Sequence, residues 1–452
     1  MTCTTLEIRN LVGCLACLFL TFTGFSKEPT NRPEYTLNVH QRYLTEAFEL
    51  TKNSVGFSAP VAGRSYSYFA IGMYESSVEQ FPELQSLSNQ LNGFQRITWK
   101  KQGQAINWAL VAEAVDFEVL SYLYRNMPPS NLEKLNTLHD SIQCKVSKKC
   151  SSSIRTYSLN YAHDLAQEII AWSKLDGADD CFDKNFPEDF IPPVCEACWK
   201  RTHPGYIVAM QPYWGSNRPH IKTSPDVAKE CKVFPFSTDT SSIMYQEAKN
   251  VYINSLTKNP EYEVIAEFWD DASGYTGTPA GHFFTIAQHM SKKYNLSSEK
   301  TLELYVKLGI AINESFIQVF KYKYDYNFIR PITYIHKYIE NQFNTRLATP
   351  PFPEYPSGHS VQSGASTQVM KSFFGNEILI EDTTNNYRKD IDGRTRIYNS
   401  FDEMAEEISI SRFYGGIHYK RTLDESLLLG KKMGDFIVET VKCRKGLDSH
   451  IY

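Results

Sequence analysis

The stretch Pro350-Pro351-Phe352-Pro353-Glu354-Tyr355-Pro356-Ser357-Gly358-His359 constrains this chain more than any other. Its four prolines exclude regular structure up to position 356 and run straight into a helical pattern, Val361, Ala365, Val369 and Phe373, spaced four apart on one face. Ser357 is therefore placed to cap a helix. The first backbone N–H groups of a helix have no partner inside it, and the macrodipole adds roughly half a positive charge there. Ser357, Gly358 and their neighbours form an expected anion site, Gly358 letting the anion reach the backbone. His359 stands beside it with a side chain suited to move a proton near neutral pH.

Two further stretches supply fixed cations. Leu302, Val306, Gly309, Ile312, Phe316, Val319 and Phe320 keep helical spacing, and Lys323 continues the same face. A lysine there must reach water at the helix end or meet a bound anion, because burying an unpaired ammonium costs several kcal/mol. Arg330 precedes Pro331, which biases it out of the α region and marks a helix end. The third stretch is Ser411-Arg412-Phe-Tyr-Gly-Gly-Ile-His418. Ser400 to Glu403 has capping-box form, Met404, Ile408 and Arg412 lie four apart, and Gly415-Gly416 ends the helix and delivers His418 in a turn. Three cations, a helix N-terminus and two histidines are the inventory of a tetrahedral oxyanion site with one nucleophile or ligand and one acid/base.

Lys-x6-Arg-Pro, Pro-Ser-Gly-His and Ser-Arg-x5-His, in that order, resemble the signature shared by vanadium-dependent haloperoxidases and type 2 phosphatidic acid phosphatases. The resemblance implies that Lys323, Arg330, Ser357, Gly358, His359 and Arg412 surround vanadate or phosphate. It makes His418 the vanadium ligand of a haloperoxidase or the nucleophile of a phosphatase, His359 the acid/base, and Lys323 the residue that polarises peroxide. Phe352 and Phe320 fall where such enzymes place neighbours of the halide. Many members carry an Asp four residues after the last His. Here that position is Thr422, and nearby Asp424 fits a Thr422-Leu-Asp-Glu425 capping box, so the partner of His418 stays open. The surroundings resemble the haloperoxidase branch, with hydrogen peroxide and halide as substrates, iodide first, bromide second and chloride last. A secreted acid phosphatase is the alternative, and a non-catalytic oxyanion-binding protein a third.

A length of 452 residues with 42% hydrophobic content supports a large core, and a net charge of −4 gives no sign of a nucleic-acid partner. Residues 1–26 read as a signal peptide cleaved near Ser26, placing the mature protein in the periplasm or outside the cell; a lipoprotein cysteine at Cys14 is the alternative. No later stretch is apolar enough to span a bilayer. Oligomeric state and any organic acceptor are not written in the residues. Cys144 and Cys150 are spaced to close a small loop, and Cys181, Cys195, Cys198 and Cys231 suggest two disulfides or a zinc site, with Cys443 left over. The chain reads as all-α, helical bundles of the haloperoxidase and acid phosphatase type. A helical region 27–255 holds a loop-rich, cysteine-containing insertion at about 175–240, and 256–452 forms the bundle bearing the oxyanion site. Phe268-Trp269-Asp-Asp and Gly281-His282-Phe283 resemble segments of bacterial haloperoxidase-like proteins, and aromatic packing accounts for them singly. The polar run Lys389 to Arg396 reads as a solvated loop.

Overall fold

The structure is a computed structural model describing residues 31–96, 105–148, 150–229 and 232–446. The expected leader 1–26 and Cys231 lie outside these residues. Five helices come first: α1 (Pro33–Asn53), α2 (Ala59–Ser77), α3 (Trp108–Leu123), α4 (Pro129–Ser147) and α5 (Ser152–Ser173). Eight more follow the insertion: α6 (Ile243–Leu256), α7 (Pro260–Phe268), α8 (Thr278–Lys293), α9 (Ser298–Tyr326), α10 (Pro331–Tyr338), α11 (Gly358–Phe374), α12 (Phe401–Tyr414) and α13 (Lys420–Thr440). The fold is all-α, and among the described residues one antiparallel hairpin, β1 (Glu377–Asp382) and β2 (Arg396–Ser400), joins the helices, with Ile380 opposite Tyr398. The hairpin takes in Arg396 from the polar run, and the rest of that run closes it.

Helix α9 is the axis of the molecule. From Leu302 to Phe320 it is buried on nearly every side, against α2 on one flank and α11 on another. Its approach to α2 is close enough that a side chain at Gly309 would meet the Ser67 backbone at 3.0 Å. The same device sets α13 against α11. A Cβ at Gly364 would lie 2.6 Å from the Leu427 carbonyl, so the start of α11 is clamped by backbone contact. One apolar cluster runs from Val39 and Tyr43 through Ile310 and Val361 to Ile437, joining helices from both ends of the chain.

Among its described residues the insertion has only short 3-10 turns and no long helix. It is laid on the core by buried polar pairs: Arg64 Nε with Asp176 at 2.6 Å, and Glu314, which accepts from the His220 amide at 2.5 Å and from the Ser224 hydroxyl. Its Ala197–Trp199 segment pairs with the chain after α9, Trp199 N donating to Asn327 O at 2.7 Å and Ile329 N to Ala197 O at 2.9 Å.

The cysteines correct the spacing argument. Cys195 and Cys198 form a disulfide, while Cys144, Cys150, Cys181 and Cys443 are free. Cys144 faces solvent, whereas the Cys150 sulfur accepts from Asn107 Nδ2 at 2.9 Å and reaches Val146 O, so the two point to different surroundings. Cys181 is buried, and burial lifts its thiol to about 11.

Candidate functional site

Lys323 lies in the last turn of α9, fully buried. Its ammonium donates to three carbonyls, Pro353 at 2.9 Å, Glu354 at 3.0 Å and Pro356 at 2.6 Å. Burial and the charge of Arg330 pull its pKa well down, and Glu354 opposes them. Three acceptors match the three hydrogens of an ammonium, so we assign the charged form. The sequence points to water or an anion as its partner; the proline-rich run, held out of regular structure, supplies free backbone carbonyls instead.

The left-handed Asn327 (φ 47°) ends α9, and Arg330 follows in extended conformation as the residue before α10. Its position thus opens a helix instead of closing one. Arg330 is fully buried. Nε donates to Phe352 O at 2.9 Å and Nη1 to Ile417 O at 2.8 Å, while Nη2 is buried with no partner. Burial lowers its pKa to about 10 against the pull of Glu354. Both cations lie over the Phe352 ring, Lys323 at 4.7 Å and Arg330 at 5.0 Å, and Phe320 meets that ring edge-on at 5.4 Å.

Ser357 caps α11 as expected, its hydroxyl accepting from Ser360 N at 3.4 Å and from the Ser360 hydroxyl at 3.0 Å. A Cβ at Gly358 would meet only Val319, at 3.8 Å, so open space lies over that backbone. His359 follows, partly buried. Burial and Arg412 push its pKa well below the usual imidazole range, and hydrogen bonding to the backbone of Trp269 and Asp270 opposes them. Its Nε2 has no partner.

Arg412 ends α12 and is buried. Nη2 donates to Ala266 O at 2.9 Å, Nη1 to Asp270 at 3.3 Å and Nε to the Ser411 hydroxyl at 3.0 Å. Ser400 caps that helix, accepting from Glu403 N at 3.0 Å, and Gly416 (φ 79°) makes the turn that delivers His418.

The partner of His418 is Glu354. Nδ1 of His418 lies 2.7 Å from Glu354 Oε1, which also accepts from Tyr419 N at 3.1 Å, and Thr422 donates to Oε2 at 2.9 Å. Thr422, at the position where relatives often carry Asp, therefore serves the same carboxylate from the other side. The capping-box reading of Thr422 to Glu425 fails, because α13 already begins at Lys420; Asp424 is exposed and pairs with Lys420. With Nδ1–H given to Glu354, Nε2 of His418 keeps its lone pair and accepts from Arg330 Nη1 at 3.2 Å. Burial, then Arg330 and Lys323, hold the ring well below its ordinary pKa, so it is neutral at pH 7. Nothing local in the proline run marks Glu354 for this role, beyond its being a carboxylate in an otherwise apolar run with no adjacent cation.

Three buried cations, a capped helix N-terminus and two histidines are thus brought together, a donor set that a tetrahedral oxyanion would fit. The fit of a tetrahedral oxyanion follows from what the protein leaves unused: Arg330 Nη2 and His359 Nε2 are buried and unpartnered, and Gly358 leaves its backbone open. Residues 339–445 match the model of the second helical-bundle domain of vanadium chloroperoxidases. The whole fold is similar to a bacterial vanadium-dependent iodoperoxidase, at 29% identity and a TM-score of 0.81, covering 92% of this chain and 98% of that one. A bacterial vanadium-dependent chloroperoxidase shares the fold at 14% identity and a TM-score of 0.64, covering 87% of this chain and 95% of that one. A vanadium-dependent bromoperoxidase of Corallina pilulifera is 32% identical over 98 residues, 20% of this chain and 16% of its own length. The vanadium chloroperoxidase of Curvularia inaequalis is 21% identical over 226 residues, 37% of each chain. The matched stretches thus span well under half the length of these curated relatives. The chain shares the fold of vanadium-dependent haloperoxidases over nearly its whole length, and its C-terminal bundle matches theirs in sequence.

Proposed function

We propose that this chain oxidises halide with hydrogen peroxide and a proton, giving hypohalous acid and water, with iodide as first substrate, bromide second and chloride last. The observation that carries the reading is the aromatic wall under the cations. Phe352, backed by Phe320, lies beneath Lys323 and Arg330, and such a surface suits a soft, weakly hydrated anion beside fixed positive charge. The likeness to a bacterial iodoperoxidase supports iodide as the first substrate.

Vanadate would be held by Arg330, Ser357, Gly358, His359 and Arg412, with His418 as its protein ligand through Nε2; Lys323, whose three hydrogens go to carbonyls, would add positive charge and no hydrogen bond. When bound, it supplies an electrophilic centre that activates hydrogen peroxide without changing oxidation state. The chain provides the rest. Glu354 fixes the ring of His418 so that Nε2, which Arg330 Nη1 approaches at 3.2 Å, keeps its lone pair on the side away from the carboxylate. Arg330 Nη2 is a preorganised donor for developing negative charge. His359, neutral near pH 7, accepts a proton at Nε2 from incoming hydrogen peroxide and returns it to the departing oxygen. Lys323 keeps a buried positive charge at the aromatic wall. Among the described residues no helix is long and apolar enough to cross a membrane. Export to the periplasm or beyond, read from residues 1–26, is part of the proposal.

Activity on purified protein tests it. The chain is stripped of bound anion and resupplied with orthovanadate in phosphate-free buffer, and iodide and bromide oxidation are followed beside hydrolysis of a chromogenic phosphate ester. Halide oxidation that appears with orthovanadate and fades on adding phosphate is the expected result. Ester hydrolysis without vanadate, blocked by vanadate and with no halide turnover, would instead make His418 a phosphoryl nucleophile.

A further inference from the structure

Outside the candidate site, His282 on α8 is the most heavily engaged buried imidazole among the described residues. Its Nδ1 lies 2.9 and 3.0 Å from the two oxygens of Asp271, and its Nε2 lies 2.7 Å from Asp382 Oδ2. A carboxylate on each ring nitrogen calls for an N–H on each, which is the imidazolium. Trp269 stacks on the ring at 4.6 Å and 24°, and its own Nε1 donates to Glu407 at 2.9 Å.

These contacts converge on one turn. Asp382 ends β1 and also accepts from Thr384 N at 2.9 Å, while Asn385 Nδ2 donates to Phe268 O at 2.9 Å, so the hairpin is tied to the turn after α7 twice over. The same turn serves the pocket. The backbone of Trp269 and Asp270 bonds the His359 ring, Asp270 accepts from Arg412 Nη1, and Ala266 O accepts from Arg412 Nη2. Asp271 holds φ at 46°, a left-handed conformation that Asp adopts more readily than most residues with a side chain.

A buried ion pair often contributes little net stability compared with apolar packing, so a doubly paired imidazolium is a poor choice if stability alone is at stake. What the arrangement gives is a fixed geometry. We infer that His282 is a positioning residue, holding the Trp269–Asp271 turn in the arrangement that aims His359 and Arg412 at the bound oxyanion. The inference rests on the oxyanion site proposed above. It assigns a role to a residue about which aromatic packing says nothing.

The test uses the full chain and two matched substitutions. His282→Gln keeps a donor for one carboxylate but loses the charge and the second bond. His40→Gln is the control, because His40 is equally buried and doubly bonded, to Asp116 at 2.7 Å and Ser77 at 2.8 Å, in the α1–α3 packing. Calorimetry reads the affinity for orthovanadate and for inorganic phosphate, the pH–rate profile of iodide oxidation is recorded, and melting is followed for both. His282→Gln is expected to weaken both anions by about 10- to 100-fold, as loss of an outer orienting group does, and to displace the limb of the profile due to His359. His40→Gln should lower only the melting temperature. Equal melting losses with anion affinity unchanged in both would overturn the inference. Should His282→Gln fail to fold, Asp382→Asn keeps the acceptor and removes one charge; several-fold weaker anion binding is then expected, and unchanged binding overturns the inference. If the unsubstituted chain binds anions but oxidises no halide, the proposed function fails while the affinity comparison still decides the role of His282.

Discussion

Glu354 accepts from His418, Tyr419 and Thr422, three donors within five residues, while sitting among prolines that feed their carbonyls to Lys323. Burial raises its pKa to about 7, with Arg330 and Lys323 pulling the other way. Replacing it with Ala strands three buried donors at once, each costing about 1–3 kcal/mol when left unmade. Glu354→Ala should therefore weaken orthovanadate binding by about 10- to 100-fold, whereas Glu354→Gln, which keeps an acceptor for the ring N–H and a group for Thr422, should recover most of it. Calorimetry in phosphate-free buffer distinguishes them, and equal losses in the two would mean that the charge, not the orientation, is what matters. Lys323, Arg330, Ser357, His359, Arg412 and His418 were all legible in the sequence, because proline, glycine and cap signals act over a few residues. Glu354 was not. It lies 64 positions from His418, and which carboxylate meets a given imidazole is settled by packing that no local pattern encodes.

At the scale of elements, the caps at Ser357 and Ser400 and the long α9 followed from spacing, while the hairpin did not. Glu377 to Asp382 is too short to show a period, and its place is fixed by Asp382 reaching His282, 100 residues back. That link makes a pH prediction. The pKa of His282 stands at about 10 against an ordinary 6.5; burial alone would lower it, but Asp271 and Asp382 outweigh burial. A raised pKa of this kind contributes stability that is fully present below about 6.5 and is lost as pH rises through about 10. The difference in unfolding free energy between the unsubstituted chain and His282→Gln should shrink from pH 7 to pH 10 in urea titrations; a constant difference would show that the charge of His282 contributes nothing. The Cys195–Cys198 loop acts on another element. Cys198 and its neighbours pair with Asn327 to Ile329, the segment that carries the chain from Lys323 to Arg330. Replacing both cysteines with serine releases only a very short loop, so global stability should fall little. Hydrogen exchange should instead speed up at the amides of Trp199 and Ile329, and unaltered exchange there would mean that the pairing stands without the disulfide.

For the molecule as a whole, the question is whether the site and the first five helices unfold together. Lys323 and Arg330 flank the end of α9, which is buried against α2, and the largest apolar cluster continues from there to Tyr43 and Leu165 without a break. The helices that carry the proposed anion site are thus packed on helices that contribute none of its residues. An anion that binds only the folded state adds RT ln(1 + [L]/Kd), about 2.7 kcal/mol at a hundredfold excess over Kd. If the cluster is one cooperative unit, orthovanadate should raise a single calorimetric transition, its midpoint climbing with the logarithm of concentration, and near-UV signals of Tyr and Trp from both ends of the chain should move together. Phosphate should compete, returning the midpoint toward a value set by its own affinity. A second transition that stays fixed while the first climbs would place a cooperative boundary between α2 and α9, and the backbone contact at Gly309 is where such a boundary would have to run. Widening that contact with Gly309→Ala then serves as the check: in a single unit it lowers the one transition and leaves the increment from orthovanadate unchanged, because the substitution destabilises the fold without touching any residue that faces the anion.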